Sequence, residues 1–144
     1  KKGLLAQNLL IVCDEVIGDE TLSMANVSHL AQLTRVVKNF DPDLVIVDTI
    51  ASAFSIKNEN DNSEVKEFIM RPLKALAKDC QAAVIASHHI GKSKTEGGES
   101  RESIHRGRGA STFADLARAV FNLEKDAANG GRILSAPKLK GVKM

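Results

Sequence analysis

The sequence contains few aromatic residues and few cysteines. Phe, Trp and Tyr together make up 3% of the chain, and Trp and Tyr do not occur. A surface that stacks nucleobases on aromatic rings is therefore not expected. Two cysteines, Cys13 and Cys80, are too few and too far apart for a disulfide framework or a zinc motif, which favours a reducing, cytoplasmic compartment. No apolar run approaches the roughly 20 residues of a membrane span, so no membrane partner is expected.

A glycine-rich phosphate-binding loop is also missing. The pattern Gly-x-x-x-x-Gly-Lys-Ser/Thr does not occur, and the nearest piece, Gly91-Lys92-Ser93, has Ala86 where the first glycine would stand. What remains is the composition of a globular protein, with 43% hydrophobic residues and a net charge of +2 over 144 residues. That length suffices for one hydrophobic core, and the mild basicity permits nucleic-acid binding without arguing for it.

Two short apolar runs predict neighbouring buried strands. Residues 44–47 are Leu-Val-Ile-Val and lead into Asp48, and residues 81–87, which are mostly small and aliphatic, lead into His88. Such unbroken runs are typical of parallel strands that are buried on both faces. Ligands of open α/β sheets bind at the carboxyl ends of the strands, so Asp48 and His88 are predicted to share one functional edge. The alternatives are an aspartate that caps a loop or helix and a histidine satisfied by a backbone carbonyl.

The rest of the chain alternates helices with strands. This order predicts an α/β fold with a mostly parallel twisted sheet, flanked by helices and extended by an antiparallel C-terminal edge hairpin. Asn26 is predicted to cap the first helix, Asp41-Pro42 to end it, and Pro72 to kink the second helix with its ring facing the Phe68 carbonyl. The predicted elements are a strand over 9–13, helices over 27–40 and 63–79, a polar segment over 91–109, a short helix from Ser111, and strands over 119–123 and 132–135.

Five short pieces of the sequence resemble one branch of a known family. They are residues 43–48, residues 58–61, His88-His89-x-x-Lys92, residues 108–111 and Asp115-x-x-Arg118-Ala119-Val120. In this order they resemble the RepA-type branch of the RecA-like P-loop ATPases, which includes hexameric plasmid replicative helicases. The resemblance covers residues 41–141, whereas residues 1–40 match only in pattern. It implies that residues 1–144 are a single partial RecA-like domain that lacks the P-loop strand and helix, so the isolated chain is expected to be inactive.

The resemblance also implies roles for individual residues. Asp48 and Thr49 are similar to the second Walker motif, which holds the Mg²⁺ of bound ATP. His88 or His89 would sense the γ-phosphate, and Arg118 is a candidate finger for a neighbouring subunit's nucleotide. A salt bridge with Asp115 is the structural alternative for Arg118.

Two further basic groups are singled out in the same way. Lys138 and Lys140 resemble a basic edge-strand motif of DnaB-type helicases, although Lys140 replaces an arginine there and the motif's asparagine is absent. The alternative is a solvated edge strand that lysines protect from aggregation. The segment 92–108 corresponds to a loop that grips DNA, and its alternative is an ordinary solvated loop. The basic residues of this segment are Lys92, Lys94, Arg101, Arg106 and Arg108.

The function implied is part of an ATP-dependent DNA-handling motor, foremost a RepA-like replicative DNA helicase. Its cofactors would be ATP and Mg²⁺, and its partners would be single-stranded DNA and further copies of the same chain in a ring. Two alternatives stay open. One is a RecA-family ATPase of recombination, repair or regulation. The other is a non-enzymatic module that binds DNA or a protein partner, which the missing phosphate loop favours for the isolated chain.

Overall fold

The described residues of the computed structural model fall into two compact units. The structure describes residues 8–12, 22–55, 57–89, 110–126 and 128–141. The first unit combines the described residues up to Lys57 with Glu67–His88. The second combines Asn58–Lys66 with the described residues from His89 onward. Together they form a mixed α/β structure with a short parallel sheet and an antiparallel hairpin.

Two parallel strands lie at the centre of the first unit. Strand β1 spans Leu44–Val47 and strand β2 spans Ala83–Ala86. They pair in parallel, with Val47 opposite Ala86 at the carboxyl end. The predicted pairing of these two apolar runs is confirmed. The residues that follow the strands therefore emerge side by side at one edge of the sheet.

Helix α1 precedes β1 and begins and ends as its sequence predicts. It spans Val27–Phe40, and the side-chain oxygen of Asn26 accepts a hydrogen bond from the backbone N–H of Ser28 at 2.9 Å. Asn26 thus supplies an acceptor for one of the amide groups that lack a partner in the first helical turn. Asp41 adopts the left-handed conformation after the last turn. Pro42 follows it and disfavours helical geometry in the residue before it.

The second predicted helix is divided by a wider turn just before its proline. A short helix, α2, spans Ile50–Ala53 and comes first in the chain. Helix α3 then spans Asn62–Val65, a π-helical turn spans Lys66–Met70, and helix α4 spans Arg71–Cys80. Pro72 lies in the first turn of α4, where its missing N–H is tolerated. A proline ring conflicts with the carbonyl four residues earlier in a regular α-helix. In a π-helical turn the backbone hydrogen bonds run to the residue five positions earlier instead of four, which interrupts the regular α-helical pattern just before Pro72.

Helices α1 and α4 pack against each other in the first unit, and α4 also contacts β2. Leu33 of α1 and Leu76 of α4 are buried in this layer, with Leu76 only 1% exposed. The opposite face of the two strands is open among the described residues, since Ile46 is 64% and Ile85 is 56% exposed. The prediction that both strand faces are buried is therefore wrong for the described part of the chain. A parallel strand loses its second buried face wherever helices cover only one side of the sheet.

The second unit contains a short helix and a β-hairpin. Helix α5 spans Thr112–Leu116, strand β3 spans Ala119–Lys125, and strand β4 spans Arg132–Leu139. The strands β3 and β4 pair antiparallel, with a register shift between Val120 and Asn122. The predicted hairpin is confirmed. In the described residues, however, it forms a two-stranded sheet of its own instead of an edge on the parallel sheet.

The predicted strand over residues 9–13 is the other clear error. Residues 9–12 lie outside any helix or strand, and Cys13 lies outside the described residues. Ile11 is 71% exposed. An apolar run becomes a strand only where a neighbouring strand satisfies its backbone groups, and hydrophobicity alone does not supply that neighbour. No helix in the described part of the chain combines the length and the apolar composition needed to cross a membrane.

Candidate functional site

The carboxyl ends of β1 and β2 bring a carboxylate and a hydroxyl into direct contact. Asp48 follows β1, and Ser87 follows β2. The hydroxyl of Ser87 donates a hydrogen bond to Oδ1 of Asp48 at 2.5 Å. The Asp48 side chain is exposed to solvent, so its carboxylate lies where a ligand can reach it. The predicted position of Asp48 at this edge is therefore confirmed, together with a hydroxyl group that the sequence analysis did not select.

A short helix begins directly after Asp48 and fixes the adjacent backbone. Helix α2 spans Ile50–Ala53, and Thr49 caps it. The hydroxyl of Thr49 accepts a hydrogen bond from the backbone N–H of Ser52 at 3.3 Å, and the backbone N–H of Thr49 donates to the hydroxyl of Ser52 at 2.8 Å. This reciprocal pair is a capping box. The peptide bond between Asp48 and Thr49 is cis.

The two candidate histidines differ in exposure. His88 comes one residue after Ser87 and is half-buried, with its Nδ1 atom shielded from solvent. His89 is exposed. His88 follows the strand that pairs with the strand before Asp48, and its role toward a bound phosphate stays a prediction. The structure thus distinguishes the two histidines, which the sequence analysis could not do.

The oxygen donors at this edge can be compared with those that a magnesium site needs. Within the described residues, no three or more His, Cys, Asp or Glu side chains gather as they would at an all-protein metal site. Mg²⁺ is commonly held by only one or two carboxylates, completed by water and by phosphate oxygens of the substrate. The exposed Asp48 carboxylate supplies hard oxygen atoms of the kind that Mg²⁺ prefers, and the Thr49 hydroxyl is a further oxygen, although it also caps α2. The chemistry of these residues is compatible with a nucleotide-bound Mg²⁺, and their individual roles stay predictions.

In the second unit, the first residue of α3 and the loop before it contact the start of α5. The side-chain oxygen of Asn62 accepts hydrogen bonds from the hydroxyl of Thr112 at 2.6 Å and from its backbone N–H at 3.1 Å. The backbone N–H of Ala110 donates to the carbonyl of Glu59 at 2.9 Å. Two sequence pieces that carry the family resemblance, residues 58–61 and 108–111, are therefore neighbours at their described residues. Asn62 was not selected from the sequence, where the only indication of its importance is that it directly follows residues 58–61.

The basic residues after α5 have structural contacts of their own. The ammonium group of Lys138 donates to the carbonyls of Ala114 at 2.6 Å and of Asp115 at 2.8 Å, near the carboxyl end of α5. The backbone N–H of Lys140 donates to the carbonyl of Arg118 at 2.9 Å. Arg118 is exposed. Their roles toward a neighbouring subunit's nucleotide stay predictions.

The proposed DNA-contacting residues fall outside the described part of the chain. They belong to residues 92–108, and their role stays a prediction. The nearest described residues are His89 before the segment and Ala110 after it. The DNA-contacting residues predicted there are Lys92, Lys94, Arg101, Arg106 and Arg108.

Comparison with known families identifies the class of protein. A family model described as an AAA domain matches residues 7–95, which is more than half of the 144 residues. The chain belongs to this AAA domain family and is therefore a P-loop ATPase-type protein. No curated protein matches the sequence significantly. The matched span contains β1, β2, Asp48 and His88, so the edge described above lies within the family's domain.

Family membership supports the broad predictions and leaves the fine ones to be tested. A domain of this family implies nucleotide binding, with Mg²⁺ as its typical metal. The short parallel sheet and the hairpin are compatible with a P-loop ATPase-like domain. That residues 1–144 form one partial domain stays a prediction, as do the individual roles of the site residues.

Proposed function

We propose that this chain forms the metal-holding and phosphate-sensing part of a RecA-like core in an ATP-dependent DNA motor, specifically a replicative helicase of the RepA type. The observation that supports this most strongly is the juxtaposition of Asp48 with Ser87 at the shared carboxyl edge of two parallel strands, one residue before His88. This edge is where open α/β sheets bind their ligands.

Each residue at the edge has a distinct task in this proposal. The Asp48 carboxylate, together with the Thr49 hydroxyl, holds Mg²⁺ on the nucleotide directly or through water. The metal, when bound, neutralises charge that develops on the phosphate oxygens. His88 hydrogen-bonds the γ-phosphate or the water next to it. His88 comes directly after Ser87 and directly before residue 89, so in this proposal a contact between His88 and the phosphate is passed on along the backbone.

DNA binding in this proposal relies on the segment 92–108. Its five Lys and Arg residues would contact phosphates of single-stranded DNA, and such contacts make affinity depend on salt but not on base sequence. The scarcity of aromatic residues in the whole chain is consistent with this mode of binding, because a base-stacking surface would need them. In a ring of identical chains, Arg118, Lys138 and Lys140 would act on the neighbouring nucleotide.

Affinity for oligothymidine at two salt concentrations tests the proposal. We expect binding that weakens steeply between about 50 and about 200 mM salt, with a log–log slope reduced by about 1 for each phosphate-contacting arginine removed. Arg101→Ala and Arg106→Ala are the test variants. Arg35→Ala, which removes an exposed arginine of α1, is the matched control. The DNA-binding role would be overturned if the natural chain did not bind at the lower salt concentration. It would also be overturned if Arg35→Ala reduced the slope as much as Arg101→Ala and Arg106→Ala do.

A further inference from the structure

We infer that Ser87 is a positioning residue for the Asp48 carboxylate. Its hydroxyl holds Oδ1 of Asp48 and thereby presents the other carboxylate oxygen, Oδ2, to a divalent cation. This inference rests on the proposed role of Asp48 as a magnesium ligand. No sequence motif assigns a function to Ser87. The hydrogen bond of 2.5 Å between the two side chains, which lie 39 residues apart in the chain, carries the argument.

The backbone of Ser87 is held from both sides. Its N–H donates to the carbonyl of Val47 at 2.9 Å, which continues the ladder between β1 and β2. Its carbonyl accepts a hydrogen bond from the N–H of Ile50 at 2.9 Å, at the start of α2. Val47 and Ile50 are both buried, with 7% exposure each, so the frame around Ser87 is part of the packed interior. The backbone that carries the Ser87 hydroxyl is therefore fixed in position.

The segment that carries Asp48 is fixed in the same way. Asp48 lies between buried Val47 and the capping box of Thr49 and Ser52. Its side chain, in contrast, is exposed and has its own rotamer freedom in the absence of a partner. A neutral hydroxyl donor restricts that freedom without cancelling the negative charge. A lysine or arginine at the same place would compete with the cation instead.

Groups that orient a metal ligand in this way have a measurable effect. Removing a hydrogen-bond partner of a metal-binding side chain commonly weakens metal affinity by 10- to 100-fold. Because Asp48 is exposed, we expect the lower end of this range, a loss of about tenfold for Ser87→Ala. Ser87→Thr keeps the hydroxyl and is expected to bind the metal within about twofold of the natural chain.

Paramagnetic broadening by Mn²⁺ tests the inference without measuring activity. Mn²⁺ replaces Mg²⁺ as the probe, and the measured quantity is the Mn²⁺ concentration that halves the amide signals of Asp48 and Thr49 in the full chain. Ser87→Ala should raise this concentration about tenfold, and Ser87→Thr should leave it nearly unchanged. Ser135→Ala, at an exposed serine of β4, is the matched control and should have no effect.

The outcomes separate this inference from the proposed function. If Mn²⁺ does not broaden Asp48 in the natural chain, either alone or with a millimolar non-hydrolysable ATP analogue, the metal role of Asp48 is wrong. If it does so and Ser87→Ala needs the same concentration, Asp48 holds metal and the positioning role of Ser87 is wrong. Loss of signal dispersion in Ser87→Ala would show that this variant is misfolded. Ser87→Cys is then measured in its place, since a thiol has a similar shape but is a weaker hydrogen-bond donor. Mn²⁺ affinity of Ser87→Cys equal to that of the natural chain would overturn the inference.

Discussion

The side-chain oxygen of Asn62 accepts two hydrogen bonds from Thr112, one from its hydroxyl at 2.6 Å and one from its backbone N–H at 3.1 Å. These residues lie 50 positions apart in the chain. The contact anchors the start of α5, just after the segment 92–108. Both donors point to the same oxygen atom, so Asn62 acts here as an acceptor only.

This geometry predicts a difference between two substitutions of Asn62. Asn62→Ala should lower the free energy of unfolding by about 1 kcal/mol and speed hydrogen exchange of the Thr112 amide. Asn62→Asp keeps an acceptor oxygen and should change both much less. Urea unfolding and amide exchange measured by NMR check the prediction. Asn60→Ala, which removes an exposed asparagine from the loop just before α3, is the control, and an equal loss of stability in that variant would contradict the prediction.

Asp48→Asn should abolish metal binding but leave the stability of the fold almost unchanged. The asparagine oxygen can still accept the hydrogen bond of Ser87, so we expect the free energy of unfolding to change by no more than about 0.5 kcal/mol. Binding of Mn²⁺ should be lost because the negative charge of the carboxylate is gone.

For the natural chain we expect Mg-ATP affinity only in the millimolar range, since the sequence contains no phosphate-binding loop whose backbone amides could hold the phosphates. Equilibrium dialysis that shows micromolar affinity would contradict this expectation.

His88→Ala should uncouple nucleotide from DNA. We expect oligothymidine affinity without nucleotide to stay close to that of the natural chain, and the gain caused by millimolar Mg²⁺ with a non-hydrolysable ATP analogue to disappear. His89→Ala is the matched variant. Because His89 is exposed whereas Nδ1 of His88 is buried, the effect should be much larger at His88. A full nucleotide-dependent gain in His88→Ala would show that this histidine is structural.

The hairpin turn should respond to acid through Asp126. The side-chain amide of Asn129 and the backbone N–H groups of Ala128 and Asn129 donate to its carboxylate and hold the pKa of Asp126 below its ordinary value of 3.8. A carboxylate whose pKa is lowered on folding stabilises the fold above the unfolded pKa, and this contribution is lost as pH falls through the folded pKa. The amide shifts of Asn129 and Gly130 should therefore titrate with a midpoint below 3.8.

Asp126→Asn is the control for this titration. Asparagine retains an oxygen that can accept the backbone hydrogen bonds but does not ionise in this range. The turn shifts should then be independent of pH over the same interval. A midpoint at or above the ordinary value in the natural chain would contradict the prediction.

Lys138 and Lys140 should differ in their effect on stability. The Lys138 ammonium group donates to two carbonyls near the carboxyl end of α5, where a positive charge is favourable. Lys138→Met should therefore lower the free energy of unfolding by about 1 kcal/mol. Lys140 contributes only its backbone N–H to a described hydrogen bond, so Lys140→Met should have little effect. Chemical denaturation of the two variants checks the prediction. Equal stability of Lys138→Met and Lys140→Met would show that the Lys138 ammonium group does not stabilise the end of α5.

Several elements could be predicted from the sequence because their causes are local. The apolar runs at 44–47 and 83–86 identify β1 and β2, and the capping residue Asn26 marks the start of α1. The turn at 129–131 likewise predicts the hairpin. Each depends on propensity or on hydrogen bonds between residues a few positions apart. The apolar run at 9–12 is similarly aliphatic, but no strand in the described part of the chain pairs with it, and the prediction there was wrong.

The contacts that define the candidate site were decided by tertiary structure. Asp48 could be selected from the sequence because it ends an apolar strand, but its partner Ser87 is specified only by the register that sets Val47 opposite Ala86. A shift of this register by one residue would turn every side chain of the shifted strand to the other face of the sheet. Asn62 and Lys138 likewise acquire partners only once distant segments pack together. A sequence pattern determines which groups can form hydrogen bonds, whereas pairing and packing determine which of them come within bonding distance.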